Sequence, residues 1–223
     1  MPKRVDHRAR RAQIADALTR LAADRGLEAV SLRHVAAEAG VSAGMVQHYF
    51  RSKDEMMAFA MGAVAENIEA RMAAEGAPAP DAPPRDAVGA LLRQLLPLDG
   101  PRLAEGRVAL AFHAYATVRP DAAGPLHRGG DRLRAFIADR LRAARAEGTA
   151  PPGIPEPAAA AGLAALVEGL ALHALTGQTA PEEAAAVLDA HLDALFGPPP
   201  AGARPRIPCG QGDGGHPDAT RRR

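Results

Sequence analysis

Residues 31–53 constrain this chain more than any other stretch, because their pattern predicts two short helices joined by a tight turn. Ser31 can cap the first helix by accepting a hydrogen bond from a free amide of its first turn. The apolar residues that follow recur at i, i+3, i+4 and i+7, which gives this helix one apolar face. Gly40 suits the left-handed position that ends the helix, and Ser42 can cap a second helix over 43–50. Together these features predict a helix-turn-helix, whose second helix can enter the major groove of DNA.

The same residues carry a resemblance to a known family. The segment VSAGMVQHYFRSKDE at 41–55 resembles the recognition-helix signature of the TetR family of transcriptional regulators. Its His-Tyr-Phe ending, followed by Ser-Lys-Asp at 52–54, is similar to the BetI-like branch. The resemblance covers roughly residues 10–60, and a Leu-Pro-Leu-Asp segment at 96–99 extends it weakly into the remaining chain. It implies an N-terminal DNA-binding domain, a helical ligand-binding domain and a four-helix dimer contact.

Charge is unevenly distributed along the 223 residues, although the net charge is only +1. Residues 1–53 carry ten Lys and Arg against five Asp and Glu, which gives +5. Residues 54–197 carry twelve against nineteen, which gives −7, and residues 198–223 carry five against two, which gives +3. A basic first quarter beside an acidic body suits one domain that faces DNA and one that does not touch phosphates. Chance segregation of charges on solvated faces is the alternative.

Composition limits the fold class and the compartment. Hydrophobic residues make up 47% of the chain and aromatic residues 3%, and the abundance of Ala and Leu favours helices. No apolar run is expected to reach the roughly 18–20 residues of a membrane span, and the charged first residues do not resemble a secretory signal. Cys209, the single cysteine, excludes an intramolecular disulfide and a Cys-cluster zinc site. We therefore expect an all-α, cytoplasmic protein with no membrane partner.

Apolar periodicity and breaker residues divide the chain into three parts. A three-helix DNA-binding domain is predicted at 1–52, with a flexible basic arm over residues 1–11. A six-helix regulatory and dimerisation domain follows at 53–196. The Gly-, Pro- and Arg-rich tail at 197–223 has too little apolar surface to order itself.

Two further expectations concern packing. Leu27 and Val30 are predicted to close the core of the three-helix domain. The Pro- and Gly-rich stretches at 76–86 and 148–157 mark loops between helices.

The DNA-facing residues are predicted from the second helix of the helix-turn-helix and its flanks. Gln47 can offer a paired donor and acceptor to an adenine edge, and His48 can reach a base or a phosphate. In the family that the segment resembles, a side chain at the Gly44 position would hold the helix away from DNA, and a lysine at the Lys53 position reaches the backbone. The alternative is a helical hairpin with ordinary solvated side chains. The predicted contacts are Ser31, Arg33, Ser42, Ala43, Gly44, Met45, Gln47, His48 and Lys53.

A catalytic interpretation of the same turn is weaker. The segment Gly40-Val41-Ser42-Ala43-Gly44 fits G-x-S-x-G, the nucleophile elbow of serine hydrolases. That elbow needs a strand before it and a helix after it, whereas a helix is predicted on both sides here. We therefore predict that Ser42 is a cap, that the chain has no catalytic residues and that it is not an enzyme.

The regulatory domain is predicted to enclose a cavity for a mostly apolar small molecule. The candidate lining residues are Phe112, His113, Tyr115, Phe136 and His173. An isolated histidine on an apolar face is more often a hydrogen-bonded core residue, so that interpretation stays open. No metal-ligand spacing such as H-x-x-E-H occurs, and no cofactor or metal is predicted. A choline-type ligand, which the BetI-like ending suggests, would need an aromatic cage that this chain has few rings to build.

The last two helices offer more apolar surface than one chain of this kind should cover, which favours a two-fold interface. Burial within the chain is the competing interpretation. The residues predicted to form the interface are Leu163, Leu166, Val167, Leu170, Leu188 and Leu192.

Taken together, these features predict a dimeric repressor that a small molecule releases from double-stranded operator DNA. The alternative is a helical small-molecule-binding protein or enzyme that does not bind specific DNA.

Overall fold

Nine α-helices and no strand make up the part of the chain that the computed structural model describes, residues 7–25, 30–76, 78–79 and 81–198. This architecture confirms the predicted all-α fold. The helices are α1 (His7–Arg25), α2 (Leu32–Glu38), α3 (Ala43–Tyr49), α4 (Lys53–Ala74), α5 (Pro84–Gln94), α6 (Gly100–Val118), α7 (Gly124–Ala146), α8 (Glu156–Leu175) and α9 (Pro181–Phe196). A turn of 3-10 helix at Pro120–Ala123 leads into α7.

The N-terminal arm is shorter than predicted. Helix α1 begins at His7, so part of the arm expected over residues 1–11 is helical. The first six residues of the arm, Leu27 and the predicted tail from residue 199 onward lie outside the described residues. Val30 is buried, as predicted.

The turn between α2 and α3 is held by local hydrogen bonds. The Ser31 hydroxyl accepts from the His34 amide at 3.2 Å, and the Ser42 hydroxyl accepts from the Met45 amide at 3.1 Å. Gly40 adopts φ +65°, a left-handed conformation that glycine reaches without a Cβ clash. The two amides at the end of α2 donate back to the carbonyls of Ala37 and Ala36, as in a Schellman motif. Both predicted serine caps and the predicted turn glycine are confirmed.

One apolar core joins the helix-turn-helix to the rest of the protein. Helices α1, α2 and α3 contribute its first part, and the buried Phe50 closes their inner side. Met56 and Met57 on α4 and Val108 and Phe112 on α6 complete the same core. The domain boundary proposed between residues 52 and 53 stays a prediction, and this core spans it.

A second core lies between α5, α7, α8 and α9, and it contains most of the residues of the predicted dimer surface. Five of the six residues assigned to the interface are buried in this core, and the sixth, Leu166, packs half-buried against it. Side chains enclosed by their own chain have little surface left for a second copy. The packing favours the alternative interpretation of these residues, which is burial within their own chain. The five buried residues are Leu163, Val167, Leu170, Leu188 and Leu192.

Helix α8 also corrects an expectation about length. Its 20 residues, Glu156–Leu175, are long and apolar enough to cross a membrane by length and composition alone. The expectation that no apolar run reaches this length is therefore wrong. Six residues of α8 pack into the second core, and its neighbours α7 and α9 contact it along its length. Of the most apolar 18-residue window of α8, 33% is buried within the chain.

Candidate nucleic-acid interface

The outer face of α3 is available to a partner. Val46 is fully buried and anchors the helix to the N-terminal core. Ala43, Gly44, Gln47 and His48 are exposed. A short helix with one buried anchor and a polar outer face fits the recognition position of a helix-turn-helix.

The structure brings the predicted DNA-facing residues to the surface around α3. Eight of the nine are exposed, including Met45 with 38% of its surface accessible, and Lys53 is half-buried. Ser31 and Ser42 already serve as helix caps, so any contact with phosphate would use their remaining hydrogen-bonding capacity. A helix, α2, precedes Ser42, and the geometry of a nucleophile elbow is therefore not formed.

Aromatic contacts fix the end of α3. The His48 ring meets the edge of Tyr49 at a centroid distance of 5.2 Å. His7, in the first turn of α1, lies 5.4 Å from the Tyr49 ring and 6.3 Å from the His48 ring. The first turn of α1 therefore lies beside the C-terminal end of the recognition helix.

Lys53 lies between the helix-turn-helix and α6. Its Nζ is 5.4 Å from the centroid of the Tyr115 ring. Burial lowers the pKa of Lys53, and the negative charge of Asp54 opposes that shift. The ammonium group is thus held at the start of α4, against a ring that the regulatory body supplies.

Two adjacent carboxylates in the first turn of α4 bind opposite halves of the protein, and neither is among the site residues predicted from the sequence. Asp54 accepts a hydrogen bond from the Tyr115 hydroxyl and pairs with Arg119 at 3.1 Å. Glu55 pairs with Arg11 of α1 at 3.2 Å and accepts from the Arg51 amide at 2.9 Å. Burial, and then the hydrogen bond to Asp54, raises the pKa of Tyr115, so its hydroxyl keeps the proton that it donates.

Only one of these two carboxylates left a signal in the sequence. The spacing of Ser52 and Glu55 is that of a capping box, and Ser52 does cap α4 by accepting from the Glu55 amide at 3.1 Å. The partner of Asp54 is 61 residues away, and no local pattern indicates it.

The five predicted ligand-binding residues do not line one cavity. Phe112 is fully buried in the N-terminal core, and Tyr115 contacts the first turn of α4. Phe136 packs against the second core beneath Arg140, whose guanidinium carbon is 5.3 Å from the ring centroid. His113 and His173 are exposed. The predicted site is therefore dispersed over three parts of the molecule.

A helix-turn-helix with an exposed recognition helix, joined to a larger helical body, defines a class of DNA-binding transcriptional regulators. Residues 14–59 match the sequence profile described as "Bacterial regulatory proteins, tetR family". Residues 84–197 match the profile described as "BetI-type transcriptional repressor, C-terminal". The chain belongs to the TetR family of transcriptional regulators, and its regulatory half is of the BetI type.

Individual relatives agree with this assignment. The HTH-type transcriptional regulator PksA of Bacillus subtilis is 38% identical over 176 residues, which cover 78% of this chain and 83% of PksA. The regulator BetI of Burkholderia thailandensis is 34% identical over 208 residues, covering 89% of this chain and 99% of BetI. The crystal structure of a transcriptional regulator from Rhodococcus sp. Rha1 has a TM-score of 0.71 at 34% identity, over 83% of this chain and 95% of that one.

Proposed function

We propose that this protein is a cytoplasmic repressor that binds a two-fold operator as a homodimer and leaves it when a small molecule binds. The observation that carries the proposal is the exposed face of α3 opposite the buried Val46. In this helix-turn-helix, serine side chains cap the N-termini of both helices. The base-reading roles below rest on that placement. The direct experiment is a salt-dependent binding measurement on the intergenic DNA upstream of its own gene, searched for a palindrome.

Replacing Gln47 by Ala is expected to relax sequence preference at one base position in each half-site. Its exposed amide is the side chain on α3 best suited to bidentate readout of adenine. The loss of discrimination should be about 1–3 kcal/mol at that position. Binding of the variant and the parent to an operator library, substituted one base pair at a time, measures it. If both proteins rank the library identically, Gln47 does not read a base.

Replacing Lys53 by Ala is expected to weaken binding to every sequence alike. A phosphate contact carries no base information, and its loss should lower the slope of log K against log salt by about one unit. Titrations at several salt concentrations on specific and on random DNA measure this slope. Arg142→Gln, on an exposed face of α7, is the matched control because it removes one positive charge elsewhere. An equal change in both variants would show a general effect of net charge.

The dimer surface that we propose lies opposite the buried leucines. Helix α8 exposes Ala158, Gly162, Ala165 and Leu172 at spacings of three, four and seven residues, so they share one face. Helix α9 exposes three alanines four residues apart, which are Ala186, Ala190 and Ala194. Small apolar side chains allow helices to approach closely, and two such faces from each of two copies would form a four-helix contact.

The effector we propose is a small molecule other than choline. The structure of a regulator from Saccharomonospora viridis with a TM-score of 0.71 and 23% identity holds choline, over 82% of this chain and 95% of that one. A quaternary ammonium group is bound by several aromatic faces around it. Here Phe136 packs on a different core from Phe112 and Tyr115, and the rings of Phe112 and Tyr115 are used for contacts with the DNA-binding half. This separation supports an effector recognised by other groups.

A further inference from the structure

A groove of about 230 Å³, lined by both apolar and charged side chains, lies where α4, α5 and α6 meet, at the end of α4 that is far from the helix-turn-helix. None of the five residues predicted to bind a ligand lines it. One wall is apolar and is formed by Met72, Pro78 and Ala90. The polar wall carries Glu75, Arg93, Gln94 and Arg102.

The polar wall is bridged by an exposed carboxylate. Glu75 ends α4 and leaves 52% of its side chain exposed, whereas the Arg102 side chain is only 14% exposed. The Glu75 carboxylate pairs with Arg102 at 3.2 Å and accepts from the Gln94 amide at 2.8 Å. The buried Nε of Arg102 lies 3.0 Å from an Asp99 oxygen yet donates no hydrogen bond. The guanidinium meets the Glu75 carboxylate through Nη2 at 3.2 Å and the Arg93 carbonyl through Nη1 at 3.5 Å.

The groove residues continue into a buried network that fastens α4 to its neighbours. Gln94 is 5% exposed, and its carbonyl oxygen accepts from Arg71 Nε at 2.9 Å. Arg71, on α4, donates two hydrogen bonds of 2.8 Å to the Glu105 carboxylate on α6. The Asn67 amide donates to the same carboxylate at 3.0 Å. Glu75 and Gln94 thus connect the groove directly to the contacts that fix α4.

We propose that this groove binds a small organic monocarboxylate, whose carboxylate replaces that of Glu75 on Arg102. A planar guanidinium matches a carboxylate through two parallel hydrogen bonds. Glu75 is the replaceable partner because exposed ion pairs contribute little stability and its side chain can turn into solvent. The apolar wall covers a short hydrocarbon tail. No aromatic residue lines the groove, so it offers a quaternary ammonium group no cage.

Occupation of the groove removes a contact that holds α4 in place. When Glu75 turns away, the Gln94 amide loses its acceptor, and the Gln94 carbonyl that holds Arg71 loses its support. Helix α4 carries Lys53 at its other end, so its position bears on the recognition helix. This regulatory consequence rests on the proposed function, whereas carboxylate binding does not.

The test is calorimetric titration of the full chain with sodium hexanoate, hexylammonium chloride and tetramethylammonium chloride. Hexanoate is expected to bind with a Kd of the order of 1 mM, which suits a ligand of its size. Arg102→Gln should weaken that binding at least tenfold, and Ala90→Leu, which fills the groove without changing a charge, should do the same. Arg142→Gln should leave it unchanged.

Several results would overturn the proposal. Hexanoate that gives no saturable heat, or binds equally to the parent, Arg102→Gln and Ala90→Leu, rules the groove out as a carboxylate site. Tighter binding of either ammonium ion than of hexanoate rules out the ligand class. Thermal unfolding of each variant shows whether it is folded. If Arg102→Gln does not fold, the effect of Ala90→Leu on hexanoate binding decides the proposal.

Operator binding separates this proposal from the repressor function. The parent protein that binds its operator but not hexanoate leaves the repressor proposal intact and removes the groove proposal. A parent that binds hexanoate but no DNA leaves the groove proposal intact and removes the repressor proposal. When both bind, hexanoate should lower operator affinity about 5–150-fold, the usual range of coupling between two sites, and saturating operator should weaken hexanoate by the same factor.

Discussion

Replacing Glu105 by Leu is expected to lower the free energy of unfolding by about 3–5 kcal/mol, because it leaves the guanidinium of Arg71 enclosed without its carboxylate. The pair is largely buried, with 20% of the Arg71 side chain and 11% of the Glu105 side chain exposed. The hydrogen bond to Glu105 raises the pKa of Arg71 in the parent. Arginine is not deprotonated in proteins even without such a partner, so the charge stays when Glu105 is removed. Urea unfolding at pH 7 and a fixed protein concentration measures the difference.

Two further variants separate the loss of this ion pair from other effects. The double variant Arg71→Met with Glu105→Leu should recover much of the loss, since an apolar pair of similar volume leaves no charge buried. Asp139→Leu breaks the exposed pair with Arg142 and should change stability by less than about 1 kcal/mol. A double variant as unstable as Glu105→Leu alone would show that the buried charge is not the cause.

The sequence predicted the features that depend on close neighbours. Each serine cap of the helix-turn-helix uses an amide three residues away, and the bonds that close α2 reach from Gly40 and Val41 back to Ala37 and Ala36. Residue type and spacing specify such contacts. The sequence of one short segment is therefore enough to predict them. The exposed face of α3 follows in the same way from the position of its single buried anchor.

Contacts between distant residues left no comparable signal. Arg71 and Glu105 are 34 residues apart, and each resembles a solvent-facing charge on its own helix. Phe112 and Tyr115 are the aromatic residues of α6, and this aromatic character is what predicts a place in a ligand cavity. The structure places them against the DNA-binding half, where one fills a core and the other bonds to Asp54. An apolar or aromatic residue indicates burial but does not indicate which neighbour covers it.

The burial of the predicted dimer residues has a related cause. Helix α8 is apolar on most sides, so periodicity alone cannot tell the face toward its own core from the face toward a partner. The larger apolar side chains lie mainly on the core side, where Ala159, Ala160 and Ala164 are also buried, whereas Leu172 is a large residue of the exposed face. The large side chains Leu163, Val167 and Leu170 fill the chain's own core, and Ala158, Gly162 and Ala165 remain exposed.

Replacing Ala165 by Glu is therefore expected to convert the dimer into a folded monomer. A two-fold interface contains every substitution twice, and an unpaired charge enclosed in such a contact costs about 3–5 kcal/mol. The monomer should keep the helicity of the parent, because Ala165 is exposed on α8 and is not among the buried residues of the second core. Sedimentation at micromolar concentration, with circular dichroism beside it, measures both properties. Operator affinity should fall when dimerisation is lost, because a monomer offers only one recognition helix to two half-sites.

Two control variants locate the interface. Ala65→Glu adds the same charge to an exposed position of α4 and should remain dimeric. Leu170→Glu places the charge in the second core instead, and should unfold the chain rather than dissociate it. The difference between Ala165→Glu and Leu170→Glu, at two positions five residues apart on one helix, then assigns one face to the partner and the other to the protomer. A dimer that survives Ala165→Glu, or a parent that sediments as a monomer, would show that this alanine face is not the contact.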